Sequence, residues 1–128
     1  MKVLVIGDTS GIGKGLADEF YSQGFEVIGA SRIRLRTKLN RASRFYLDVT
    51  ESSTGWSKAY EDHFRSADML IYSAAISTSM NFLSAMDFLD RASALEDLKT
   101  NVWGQINVAS EWSRIKAETA PEKRLPRS

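Results

Sequence analysis

The sequence predicts an α/β fold, a doubly wound parallel sheet of about four strands in the order 3-2-1-4. Three observations carry the prediction. Short apolar runs at Lys2 to Ile6, Phe25 to Ala30, Arg44 to Val49 and Ala67 to Ser73 are separated by helical or polar stretches. The first run, KVLVI, is continuously apolar and rich in β-branched residues, as a strand covered on both faces must be. A glycine-rich turn, Gly7 to Gly13, stands where this strand hands over to a helix.

Each element follows from its local pattern. Gly11 to Gln23 spaces Ile12, Leu16, Ala17 and Phe20 at helical intervals, and Gly24 closes the helix as its C′ residue. Phe25 to Ala30 (FEVIGA) is the second strand. Ser31 to Arg44 is polar and basic with little periodicity and reads as a loop with about one turn of helix. Arg44 to Val49 (RFYLDV) is the third strand, Glu51 to Phe64 a weakly amphipathic helix, and Ala67 to Ser73 (ADMLIYS) the fourth strand. Ser93-Ala94-Leu95-Glu96 fits a capping box. Behind it Leu95, Leu98, Val102, Ile106, Ala109 and Trp112 recur at helical spacing and mark one long helix to about Lys116. A single domain is expected over residues 1–118, with residues 119–128, which hold both prolines, as a flexible tail.

Composition narrows the function. The chain has 128 residues, 43% hydrophobic and 26% charged, which suits one globular domain with one core. Lys and Arg total 17 against 16 Asp and Glu, a net charge of +1 that gives no bulk attraction to nucleic acid. A local basic cluster, Arg32, Arg34, Arg36, Lys38, Arg41 and Arg44, stands apart from that balance. With no cysteine there is no disulfide, thiolate metal site or thiol nucleophile. No window reaches the roughly 20 apolar residues that span a bilayer, and none has the form of a leader. A cytoplasmic protein that binds neither nucleic acid nor membrane is expected. His63, the single histidine, lies on a polar helix flanked by Glu61 and Asp62, and a metal site there would need partners the sequence does not place, so none is expected. Asp87, Asp90, Glu96 and Asp97 read as a solvated acidic face.

Gly7, Gly11 and Gly13, spaced GxxxGxG between strand and helix, allow a tight turn and the close approach of a pyrophosphate. The free N–H groups and dipole of the helix start favour an anion there. Together "IGDTSGIG", "LDV" at Leu47 to Val49, "DMLIYSAAIS" at Asp68 to Ser77 and "NVWG" at Asn101 to Gly104 resemble the short-chain dehydrogenase/reductase family, in order and over nearly the whole chain. The resemblance implies a Rossmann-like domain with a dinucleotide held by Gly7, Thr9, Ser10, Gly11, Ile12, Gly13, Asp48, Val49 and Ala74. In the family's glycine motif Ile6 stands here for a threonine. In its NNAG motif, Tyr72-Ser73-Ala74-Ala75 keeps the first alanine alone. Asp48 corresponds to the family's adenine contact; by itself it reads equally as a turn residue or a helix N-cap. Asn101 corresponds to the catalytic asparagine, where a helix distortion holds a water for proton relay.

The second strand ends Gly29-Ala30-Ser31-Arg32, with no acid to bind a ribose 2′-hydroxyl. Ser31 and Arg32 suit a 2′-phosphate, so NADP is favoured over NAD; the alternative is that Arg32 begins a solvated loop. The family's catalytic serine and YxxxK pair lie beyond the matched segment, and no Tyr-x-x-x-Lys occurs in this chain. The fold is therefore expected to be C-terminally truncated. The expectation is an NADP(H)-binding protein, oxidoreductase by family but lacking the Tyr-Lys pair and inactive as an isolated chain. The alternative is a non-enzymatic scaffold or interaction module with a vestigial site. An uncovered fourth strand is an aggregation hazard, so a homodimer covering that edge and the long helix is expected.

Overall fold

Strands form where the apolar runs fall, and the glycine turns set their connections. The computed structural model describes residues 1–9, 11–32, 43–74, 95 and 97–119. Along the chain run β1 (Lys2–Ile6), α1 (Gly11–Ser22), β2 (Glu26–Ser31), β3 (Ser43–Tyr46), α2 (Ala59–Ser66), β4 (Met69–Tyr72) and α3 (Gly104–Thr119). A 3-10 turn at Ser53–Gly55 precedes α2, and a π-helical turn at Lys99–Trp103 leads into α3. The sheet order is β3-β2-β1-β4 with every pair parallel, as the alternation of apolar runs predicts. Residues 33–42 of the basic segment, the capping box apart from Leu95, Asp87 and Asp90 of the acidic face, and residues 120–128 of the tail fall outside the described residues.

Alternate residues of the strands feed opposite cores. Val3, Val5 and Val27 pack against Ala17 of α1, with Phe20, Phe25 and Ile71 around them. Leu4, Ile6, Ile28 and Ala30 face the other side, where Phe64 and Tyr60 of α2, Trp56, and Val108 and Ile115 of α3 cover them. This two-sided burial is why β1 reads as an unbroken apolar run. Phe64, wholly buried, is the hub of an aromatic cluster with Trp56, Tyr60 and Trp112.

Two elements differ from expectation. The third strand ends at Tyr46, three residues before Val49. Asp48 bends the chain there: its Oδ1 accepts from the Thr50 N–H at 2.9 Å and the Thr50 hydroxyl at 2.6 Å, and its carbonyl accepts from the Trp56 indole at 2.8 Å. A backbone committed to this turn cannot extend a ladder, so the next helix starts only at Ala59. The long helix also packs through a different row of side chains. Leu95, Leu98, Val102 and Ile106 are at least half exposed, whereas Thr100, Gly104, Val108 and Ile115 are buried. The buried row begins with small residues, which let α3 sit close to the sheet. A side chain on Gly104 would lie 2.6 Å from both the Tyr72 hydroxyl and Val49 Cγ2.

Polar bonds complete the docking of α3. Asn107 Nδ2 donates to the carbonyls of Val49 and Glu51, and Glu111 accepts from Ser53 and Tyr60. Lys116 donates to the carbonyls of Arg65 and Ala67, capping the end of α2, while its ammonium lies 4.5 Å above the Trp112 ring. No helix among the described residues is long and apolar enough to cross a membrane.

Candidate cofactor site

Above the C-terminal ends of β1, β2 and β4 lies a cavity of about 610 Å³. This is where the strand order reverses, with β2 on one side of β1 and β4 on the other. Its floor is made by the glycine loop. Gly7 has φ +90°, and a Cβ there would approach the Ala74 nitrogen to 2.6 Å, so the position demands glycine for both conformation and space. The loop is held at both sides: Gly7 N–H donates to the Ala30 carbonyl at 2.7 Å and Ser73 N–H to the Ile6 carbonyl at 2.7 Å. Gly13 is buried against Gly7, bringing the first turn of α1 onto the strand end. The helix start thus stands at the cavity mouth, where Gly11 and Ile12 line the wall, and the first N–H groups of a helix, which have no partner within it, favour an anion.

Most of the residues expected to hold a cofactor meet here. Gly7, Thr9, Gly11, Ile12, Ser31, Arg32, Val49, Ala74 and Asn101 all line the cavity. Gly13 supports the loop from behind. Asp48 is outside the lining, with Oδ1 engaged by Thr50, although its neighbours Leu47 and Val49 contribute to the wall. Ser10 lies outside the described residues.

Asn101 sits within the π-helical turn. The distortion is stabilised from the sheet: the Tyr72 hydroxyl donates to the Thr100 carbonyl at 2.7 Å. Burial pushes the Tyr72 phenol up to about 12, so it stays protonated and serves as a donor. The Thr100 hydroxyl is buried in the cavity wall with no hydrogen-bond partner among the described residues. An orphaned buried hydroxyl of this kind calls for a water or a ligand group.

Tyr72, Ser73, Thr100 and Gln105 also line the site, and residue-by-residue reading did not single them out as cofactor contacts. Tyr72 and Ser73 stand at the motif positions where this chain departs from the family, a signal that could have found them. Thr100 and Gln105 had none beyond nearness to Asn101. Arg32 is the one charged side chain among the described residues lining the cavity. Behind the wall, however, Asp8 is completely buried and paired with Arg44. No group of three His, Asp or Glu residues that could hold a metal occurs among the described residues.

A sequence model of the short chain dehydrogenase family matches residues 1–119. The chain belongs to the short-chain dehydrogenase family. No curated protein matches the chain significantly. Among solved structures, serine dehydrogenase from Escherichia coli is 24% identical, with a TM-score of 0.72 over 92% of this chain and 56% of that one. A short-chain dehydrogenase from Leptospira borgpetersenii serovar Hardjo-bovis, with bound NAD+, is 23% identical, with a TM-score of 0.71 over 93% of this chain and 47% of that one. An actinorhodin polyketide ketoreductase with NADPH is 20% identical, with a TM-score of 0.67 over 95% of this chain and 49% of that one. The short-chain dehydrogenase fold is thus shared throughout, and the chain spans about half the length of these structures.

Proposed function

We propose that this chain is the NADP(H)-binding portion of a short-chain oxidoreductase. One observation carries the choice of nucleotide: at the end of β2, Ser31 and Arg32 line the cavity, and the described wall has no carboxylate. A 2′-phosphate would meet a hydroxyl and a guanidinium there, whereas a ribose diol would lack its usual acid. Gly7, Gly11 and Gly13, with the start of α1, would hold the pyrophosphate. Asp48, through the carboxylate oxygen that Thr50 leaves unused, would accept from the adenine amino group. The glycine loop drawn tightly onto the strand ends, with the orphaned Thr100 hydroxyl in the wall beside it, fits a dinucleotide lying along this groove.

The nicotinamide, when bound, supplies hydride chemistry; this chain supplies position. Asn101, in the π-helical turn, is assigned the proton-relay position, with Tyr72 holding the turn from below. With no Tyr-x-x-x-Lys in the chain, binding without turnover is expected from these 128 residues alone. Calorimetric titration tests the reading. NADPH is expected to bind more tightly than NADH, and Arg32→Ala to weaken NADPH by about tenfold while leaving NADH unchanged, the worth of one charge-assisted contact. Binding of neither nucleotide would turn the reading to an interaction module.

The exposed row on the long helix supports a second feature of this reading. Leu98, Val102, Trp103 and Ile106 are each half exposed or more, and β4 pairs on one side with β1. We assign this helix face and strand edge to a homodimer contact.

A further inference from the structure

Asp8 has no exposed surface, although nothing in a phosphate-binding turn requires an acid. Its carboxylate lies over β2 at Gly29, and any Cβ at that position would run into it. Arg44 closes on the carboxylate from β3 with a two-pronged fork, Nε to Oδ2 and Nη2 to Oδ1, both at 2.9 Å. The same Nη2 donates to Ser31 Oγ at 2.8 Å. Register places Arg44 directly opposite Gly29, so the absence of a side chain on β2 opens the passage that the ion pair fills. Ser31 lines the cavity, while Arg44 stands one hydrogen bond behind it and Asp8 two.

A free carboxylate at the end of the second strand accepts from a ribose 2′-hydroxyl and repels a 2′-phosphate. Asp8 brings a carboxylate behind that place from the glycine loop, and Arg44 pairs with it. We propose that the Asp8–Arg44 pair sets the selectivity of the site for the cofactor's 2′ group, with Arg44 as the specificity residue that keeps Asp8 from acting as an acid toward the ribose. The inference rests on the dinucleotide reading above. It makes the preference for a 2′-phosphate a property of a buried pair as well as of the surface residue Arg32.

The test is the ratio of NADPH to NADH affinity, measured calorimetrically on the whole chain. Asp8→Asn leaves the Arg44 charge uncompensated and is expected to raise the ratio several-fold. Arg44→Gln removes the positive charge that stands behind Ser31 and is expected to lower the ratio by about tenfold, the scale of one charge-assisted contact. A buried carboxylate stripped of its partner destabilises strongly, so Arg44→Gln can fail to fold. The double variant Asp8→Asn/Arg44→Gln removes both charges of this pair, and its ratio is expected to fall below that of Asp8→Asn alone. Ratios that move in these directions support the inference. Variants that weaken both nucleotides alike, with the ratio unmoved, overturn it and leave a purely structural ion pair. If the unaltered chain binds neither nucleotide, the cofactor reading fails first and the inference falls with it.

Discussion

His63 is the chain's single histidine, and the fold uses it as an aromatic plate: its ring stacks on Phe45 at 4.3 Å between centroids and 12° between planes. Burial, aided by the positive charge of Lys2 and opposed by Asp62, lowers its pKa below the ordinary 6.5. The folded state therefore binds fewer protons than the unfolded chain between the depressed value and 6.5. Stability from this residue is complete above the unfolded value and is lost as pH falls through that window. Thermal unfolding of the native chain and a His63→Gln variant, compared at about pH 7 and about pH 5, checks it. The midpoint of the native chain is expected to drop further, because the carboxylates common to both proteins cancel. The same residue shows the limit of reading by type. The lack of a second histidine or any cysteine argues against a metal site, but the stack on Phe45 depends on where β3 runs relative to α2.

At the scale of elements, the π-helical turn and α3 are decided by how closely the helix approaches the sheet. Gly104 permits that approach, and the Tyr72 hydroxyl and Val49 fill the space beside it. Gly104→Ala is expected to cost about 1–3 kcal/mol, read as a fall in the thermal midpoint, since an added methyl in a filled site forces a shift. Tyr72→Phe alone is expected to lower the midpoint as well, since it takes away the hydroxyl that donates to the Thr100 carbonyl. An unchanged midpoint for Gly104→Ala would mean that the helix moves freely and that the turn at Asn101 is held by something else. The helical period was legible in the sequence, but the choice of inward row was not. Leu98, Val102 and Ile106 form the more apolar row, yet the smaller row of Thr100, Gly104 and Val108 packs inward. Close approach, rather than maximal hydrophobicity, selected the face.

For the whole molecule, the outward apolar row and the edge of β4 argue for self-association. Trp103, 51% exposed, lies at the centre of the row. Sedimentation velocity of the chain at micromolar concentration is expected to give a dimer. Trp103→Glu should shift it to monomer by placing a charge where apolar surface is buried, while the thermal midpoint at high dilution stays close to that of the native chain. A native chain that sediments as a monomer across this range would remove the dimer assignment.

The sequence alone determined the strand order, the glycine turn and membership of an α/β dinucleotide fold. These depend on local signals: apolar runs that must be covered on both faces, and glycines that must bring backbone onto backbone. It also named most of the residues that line the cavity, because loop and strand-end positions are tied to the topology. Tertiary structure alone decided that Tyr72 secures the turn at Asn101 and that Asp8 reaches over Gly29 to meet Arg44, and it chose, among the readings the sequence left open for Asp48, the turn that ends the third strand short. Each joins residues from separate elements, 28 positions apart for Tyr72 and Thr100 and 36 for Asp8 and Arg44, or turns on a competition between local and ladder hydrogen bonds. Such pairings have no periodic trace in the chain, because the register of neighbouring strands and the depth of helix packing create them.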